Sequence, residues 1–423
     1  MRLTDAQQNA VAARGNALVS ASAGTGKTST LVERCLRCLC DERAALDEIL
    51  VVTFTEAAAA EMRERLRARL EEKHQAEPQD SRWAEQLALF DAAHIGTLHS
   101  LCFKLVRQHF YELKFDPQLS VLDESEGGLL ADESIEAVLQ PHYAALDEHG
   151  EAVQQLIQNY GGGKGDQRVR ALMLRLHEYM QTRANPSAWF EQQSKIFAAP
   201  EPEQWRQWLP EGIADWRREW RTALEALAPQ NEKAAACLKI LNSLPLEFNR
   251  EHAARVLAQL HEAGKVWPPR RKTALRKPLG NFFEEAAFLC DVAARTPESD
   301  PLAEDWSWIR GHMATLLNLA REFDEHFSRM KRESGVVDFH DLEQCALQLL
   351  WDFKADKPTQ IARQWRKKIR FVFVDEYQDI NAAQDKIIEA LSRDGAQANR
   401  FLVGDVKQSI YRFRLADPSI FAG

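Results

Sequence analysis

The sequence predicts an α/β fold, a parallel sheet covered on both faces by helices and interrupted by a large all-helical insertion. Three observations carry this prediction. Short apolar runs alternate with helical patterns over the first 115 residues. The same alternation returns after residue 333. Between them lie about two hundred residues with hardly any strand signal. Nearly continuous apolar strands separated by helices are the mark of a parallel sheet buried on both sides. At 423 residues the chain is long enough for two or three domains with well-buried cores.

NALVSA (16–21) reads as a strand and TSTLVERCLRCLC (28–40) as a helix. ILVVTF (49–54) is a second strand, and the Ala-rich charged stretch 56–73 a second helix. After His94-Ile95-Gly96-Thr97 comes a helix over 98–113. A short apolar piece, LSVLD (119–123), precedes segments with 3.6-residue apolar spacing, such as 169–181 and 215–228. Trp205, Trp208, Trp216 and Trp220 fall at helical intervals, which suits core packing better than base stacking. NYGGGKGD (159–166) follows no strand and reads as a helix–helix connection. Strand logic resumes at IRFVFVDE (369–376), followed by a helix over 382–392 and a strand at RFLVGD (400–405). The simplest partition gives residues 1–115 and 334–423 to one α/β domain, with 116–333 inserted between them.

Composition, 45% hydrophobic and 28% charged, is that of a soluble globular protein. No apolar run approaches the length of a membrane helix, and MRLTDAQQNAV has no secretory signal character, so a cytoplasmic protein without membrane contact is expected. The net charge of −9 argues weakly against nucleic acid, but local basic clusters matter more than the average. KVWPPRRKTALRK (265–277) holds six basic residues and no acid, and reads either as a solvated loop or as a phosphate contact. RQWRKKIR (363–370) is a second cluster. Cys35, Cys38 and Cys40 sit inside a helical stretch with no fourth ligand spaced to join them, so packing is preferred over a metal.

The chemistry is concentrated at three places. ASAGTGKTST (21–30) lies between a strand and a helix, as a phosphate loop requires. Gly24 and Gly26 let backbone N–H groups turn toward phosphate oxygens, Lys27 can reach the β- and γ-phosphates, and the Thr28 hydroxyl can join a Mg²⁺ shell. Residues Ala21, Ser22, Ala23, Gly24, Thr25, Gly26, Lys27, Thr28 and Ser29 would wrap ATP, although Ala21 stands where the motif usually has its first glycine. FVFVDEYQD then delivers Asp375 and Glu376 from the end of an apolar strand, the first to hold Mg²⁺ and the second to activate water. The two motifs together predict a P-loop NTPase domain. Gln408 in GDVKQS, after another strand end, suits a γ-phosphate sensor. Tyr411 and Phe413 interleave with Arg412 and Arg414, a pattern that fits single-stranded nucleic acid or a half-buried strand equally well.

Taken in order, these motifs resemble the superfamily 1 DNA helicases of the UvrD/RecB kind, over the whole chain. LTDAQQNAV (3–11) is similar to that family's Q motif, which implies that Gln7 reads adenine. VVTFTEAAAAEM (51–62) and GTLHS (96–100) resemble its single-strand-binding motifs, which places Phe54, Thr55, Thr97 and His99 along a DNA track. VDEYQD resembles motif II and GDVKQSIYRFR motif III, where Gln408 couples hydrolysis to DNA while Tyr411, Phe413 and Arg414 meet the strand. ASAGTGKT with Ser29 after the threonine, YGGGKGD and VVDFHDLEQCALQLL (336–350) look most like the AddA-type helicase–nuclease subunits. The resemblance implies a RecA-like motor domain, ATP and Mg²⁺ as cofactors, 3′→5′ movement, single-stranded and duplex-end DNA as partners, an AddB-like partner protein and a role in double-strand break repair. The resemblance implies that motifs IV to VI, a second motor domain and a nuclease domain would lie outside these 423 residues. The chain is therefore expected to be an N-terminal piece that turns over slowly alone. A RecB or UvrD-type fragment, or a non-catalytic nucleotide- and DNA-binding scaffold, is the alternative.

Overall fold

A computed structural model describes residues 3–22, 25–116, 118–163, 165–268, 270–405 and 420. Among the described residues, nine strands follow in chain order: β1 (Ala17–Ser20), β2 (Ile49–Thr53), β3 (His94–Thr97), β4 (Ser120–Val121), β5 (Val336–Val337), β6 (Trp351–Asp352), β7 (Lys357–Pro358), β8 (Phe371–Val374) and β9 (Arg400–Gly404). Five of them form one sheet in the order β1-β9-β8-β2-β3, every neighbour parallel. The other four are short, β4 pairing in parallel with β5 and β6 antiparallel with β7. The rest is mainly helix, so the α/β class with a parallel sheet holds.

Alternation along each strand explains why these runs are apolar throughout. Ile49, Val51, Phe373, Phe401 and Val403 point to one face and meet α2 (Lys27–Cys40) and α3 (Glu56–Ala76) with Trp83 and Phe90. Leu50, Val52, Val372 and Val374 point to the other and meet α5 (Leu98–Gln108) and the helices Phe339–Leu350, Gln360–Lys368 and Ala382–Leu391. Both clusters lie almost wholly out of water, and that burial is the main force fixing the sheet. β3 is the strand that its sequence did not announce. Its four residues, HIGT, include a glycine and one large apolar side chain, too little for a pattern. The helix expected over 98–113 breaks at His109 into α5 and a short turn, Phe110–Leu113, which ends on Lys114 in the left-handed region at φ +58°.

Two compact units emerge. The first takes in residues 1–145, 160–190 and 318–423, and the second 146–159 and 191–317. The second is helical. Trp216 stacks on Phe282 at 5.4 Å, and the indole N–H groups of Trp216 and Trp220 both donate to Glu285 Oε2, at 2.9 and 2.7 Å. Trp205 meets the buried Trp306 edge-on at 5.0 Å. Packing thus accounts for three of the four tryptophans, while Trp208 is exposed.

Within the same unit the basic stretch 265–277 is anchored. Trp267 donates to the Gly264 carbonyl at 2.6 Å and leans on Phe283, and Leu275 is buried in a short helix, Lys272–Arg276. Arg270, Lys272, Arg276 and Lys277 are exposed, and Arg271 lies 3.4 Å from Glu232. In the cluster at 363–370, by contrast, Arg366 donates to the carbonyls of Glu389 and Ala390, and Arg370 to those of Glu42 and Arg43. Those two cations tie loops together.

Cys35 and Cys38 are fully buried in the core of α2, where burial raises both thiols, Cys38 to about 12. A thiol held protonated is a packing group and a poor metal ligand. Replacing both by Ala should cost about 2 kcal/mol in urea unfolding, as small buried side chains do, and leave the zinc content of the purified protein unchanged. A stoichiometric loss of metal would reverse that assignment.

Candidate nucleotide site and nucleic-acid face

All five strands of the main sheet run the same way, so every loop that leaves a strand's C-terminal end opens at one edge. Strand order then sorts those loops. The turns after β1, β9 and β8 are neighbours, and those after β2 and β3 lie beyond them. Backbone hydrogen bonds start two of these turns in register, from Ala21 N to the Gly404 carbonyl (3.0 Å) and from Asp375 N to the Val52 carbonyl (2.9 Å).

At β1, Gly26 caps α2 in the left-handed region (φ +83°, ψ 36°). A Cβ there would stand 2.9 Å from Gln7 Nε2, the movable end of a long side chain, so it is the backbone angle that calls for glycine. Gln7 is itself held by a capping box with Thr4, and its amide donates to the Thr25 carbonyl at 2.8 Å. The glutamine expected to read adenine therefore also braces the loop. Thr25 Oγ1 donates to the Ser22 carbonyl, and Thr28 and Ser29 sit half-buried on the first turn of α2. Ala23 and Gly24 lie outside the described residues.

Lys27, the first residue of α2, is largely buried, and its Nζ lies 2.6 Å from Glu376 Oε2. Glu376 takes a left-handed conformation (φ +52°, ψ 41°), unusual for a residue with a Cβ and typical of functional sites. Its carboxylate also accepts from Gln378 Nε2 at 2.8 Å; the same nitrogen reaches Asp379 at 3.0 Å, and Gln378 Oε1 accepts from Asp405 N at 2.8 Å. Gln378 thus clamps the end of β8 to the end of β9. Asp375 is buried; burial first, and then the Glu376 charge, raises its carboxyl to about 6. Asp379 is raised to about 6 by burial, with Glu376 adding to the rise, and its Oδ1 is buried without a partner. Three carboxylates thus face one lysine. That is a site short of positive charge, and its donor set of hard carboxylate oxygens fits Mg²⁺.

Beyond β2, Phe54 is half-buried and Thr55 exposed, with the Thr55 hydroxyl capping α3 at Ala58 N (3.1 Å). Beyond β3, Thr97 is buried, caps α5 and donates to Glu56 at 2.8 Å. His99 lies half-exposed on the first turn of α5, its Nε2 2.9 Å from Glu343 and its ring 4.8 Å from that of Phe339. Of the expected residues, the edge brings together Gln7, Lys27, Asp375 and Glu376 at one end and places Phe54, Thr55, Thr97 and His99 at the C-terminal ends of the adjoining strands β2 and β3 and on the first turn of α5. Gln408, Tyr411, Phe413 and Arg414 lie outside the described residues. Sequence reasoning missed Gln378, Asp379, Glu343 and Phe339. The first two stand within the quoted VDEYQD, where polar residues directly after a buried strand were the available signal.

A phosphate-loop sequence between strand and helix, its lysine held against an acid that ends a parallel strand, defines a phosphate-loop α/β protein. Comparison narrows the class: residues 3–423 match the UvrD/REP helicase N-terminal domain, and the chain belongs to that family. Relatives named as ATP-dependent helicase/nuclease subunits are 37% identical in Pelotomaculum thermopropionicum, 33% in Thermoanaerobacter pseudethanolicus and 31% in Listeria monocytogenes serotype 4a. Each alignment covers 99% of this chain and 35 or 36% of the relative. The chain thus spans about a third of the length of these curated relatives.

Above pH 6 the folded chain holds an ionised Asp375 that burial disfavours, whereas toward pH 4 it keeps a proton that the unfolded chain sheds. In EDTA, Asp375→Asn should therefore stabilise the fold by about 2 kcal/mol at pH 7.5, with the gain fading as pH falls through 6 toward 4. Denaturant midpoints across that range check this, and a gain independent of pH would contradict it.

Proposed function

We propose that this chain supplies the first RecA-like, ATP-binding domain of an ATP-dependent DNA helicase of the AddA type, together with an inserted helical domain. The single observation that carries the reading is the Lys27–Glu376 contact at the C-terminal edge of the parallel sheet. It brings a phosphate-binding cation and a candidate base to one place from opposite ends of the chain. The relatives are named helicase/nuclease subunits, which supports DNA as the substrate and an AddB-like chain as the partner. Among the described residues no helix is long and apolar enough to cross a membrane.

In this mechanism Lys27 and the N-terminal turn of α2 hold the β- and γ-phosphates. Asp375 and the Thr28 hydroxyl would hold Mg²⁺, whose charge neutralises the triphosphate oxygens. Glu376, released from Lys27 when phosphate takes its place, orients the attacking water and accepts its proton. Gln378 keeps that carboxylate in position. Gln408 would sense the γ-phosphate and Tyr411, Phe413 and Arg414 would meet the bases, extending a track that includes Phe54, Thr55, Thr97 and His99. The exposed cations of 265–277 suit a duplex backbone.

Two experiments test this. Lys27→Ala should weaken Mg-ATP binding at least about tenfold, whereas Glu376→Gln should bind as the parent does and lose hydrolysis by about 10²-fold. Equal binding by the lysine variant would refute the phosphate-loop assignment. For the helical unit, Arg270→Ala with Arg271→Ala should weaken duplex binding in low salt and flatten its salt dependence. Unchanged affinity would return that stretch to the role of a solvated loop.

A further inference from the structure

Glu343 stands within the stretch VVDFHDLEQCALQLL quoted above, which assigned it no role, and its side chain is 1% exposed. Burial opposes a charge on its carboxyl, but the hydrogen bond and electrostatic pull of His99, then His340 and a hydrogen bond from Gln384, more than offset it and hold the carboxyl below the ordinary range. No lysine or arginine is paired with Glu343 among the described residues. Its partners are His99 Nε2 on Oε1 (2.9 Å), Gln384 Nε2 on Oε1 (2.7 Å) and Asn381 Nδ2 on Oε2 (3.5 Å). Asn381 and Gln384 are the two halves of the capping box that starts helix Ala382–Leu391, three residues after the acid segment ends at Asp379. The titratable groups that face this carboxylate are His99, His340 and the Cys102 thiol.

An ionised carboxylate only accepts hydrogen bonds, so the His99 nitrogen that faces it must carry the proton. This fixes the imidazole with Nε2–H turned inward and Nδ1 left at the half-exposed end of the ring. Phe339, itself half-exposed, lies against the same ring at 4.8 Å with a 42° tilt and limits its rotation. A histidine held this way presents one defined nitrogen, which can donate to a phosphate oxygen once protonated. The arrangement parallels a metal-ligand histidine whose far nitrogen is oriented by a carboxylate, with a nucleic-acid strand in place of the metal.

We propose that Glu343 is the positioning residue of the DNA face: it sets the tautomer and orientation of His99 for a backbone phosphate, from a buried seat shared with the segment that follows the nucleotide acids. The proposal rests on the reading of His99 as part of the DNA track. The test uses the whole chain with two readouts. Histidine ¹⁵N NMR should show His99 with its proton on Nε2 in the parent and this signature lost in Glu343→Gln. Binding of a fluorescent oligo(dT) should fall about fivefold in Glu343→Gln and equally in His99→Ala, with no further loss in the double variant and partial recovery in Glu343→Asp. Mg-ATP affinity in each variant checks that the fold persists. A parent His99 with its proton on Nδ1 alone would overturn the proposal, as would additive losses in the double variant. So would unaltered oligo(dT) binding by His99→Ala, which would also remove His99 from the track and leave the nucleotide site standing.

Discussion

The ion pair between Lys27 and Glu376 joins residues 349 positions apart, and the rest of the structure is arranged to make it possible. A lysine at the start of a helix and a glutamate at the end of a strand can meet only if their strands run the same way and lie close in the sheet. The order β1-β9-β8 satisfies both conditions. Two apolar faces lock that order, because Phe373 and Phe401 pack against α2 and α3 while Val372 and Val374 pack against the opposite helices. A one-residue slip in β8 would exchange those faces and turn the acid pair away. The core therefore sets the geometry of the site as well as stability.

Charge explains why the pair is poised for exchange. Glu376 pairs with the one ammonium, while burial and the Glu376 charge push the neighbouring Asp375 and Asp379 up to about 6. A polyanion with its divalent cation brings what the cluster needs, since the metal supplies positive charge to the aspartates and the phosphates compete with Glu376 for Lys27. The same pairing that holds the edge together is the one that nucleotide binding would rearrange.

How far the sequence foretold this differs by element. The strands β1, β2, β8 and β9 were legible because each is a short, nearly continuous apolar run, and the phosphate loop because strand, glycine and lysine stand in a fixed order. β3 was not, since four residues with a glycine carry no period. The Gln7–Thr25 and Gln378–Asp405 bonds, and the seat of Glu343 beneath His99, depend on which distant segments become neighbours. Local pattern holds no record of that. The extent of the two units, with 116–145, 160–190 and 318–333 grouped with the sheet, follows from the same long-range packing.

The most direct measurement of the central claim replaces Mg²⁺ with Mn²⁺ and follows its pulsed EPR signal with ATP bound to the chain. The account requires phosphorus coupling from the nucleotide in the parent, and loss of the bound metal, with nucleotide still retained on Lys27, once Asp375 becomes Asn. A Mn²⁺–nucleotide signal identical in parent and Asp375→Asn would mean that the acid pair and the phosphate loop do not share one ligand.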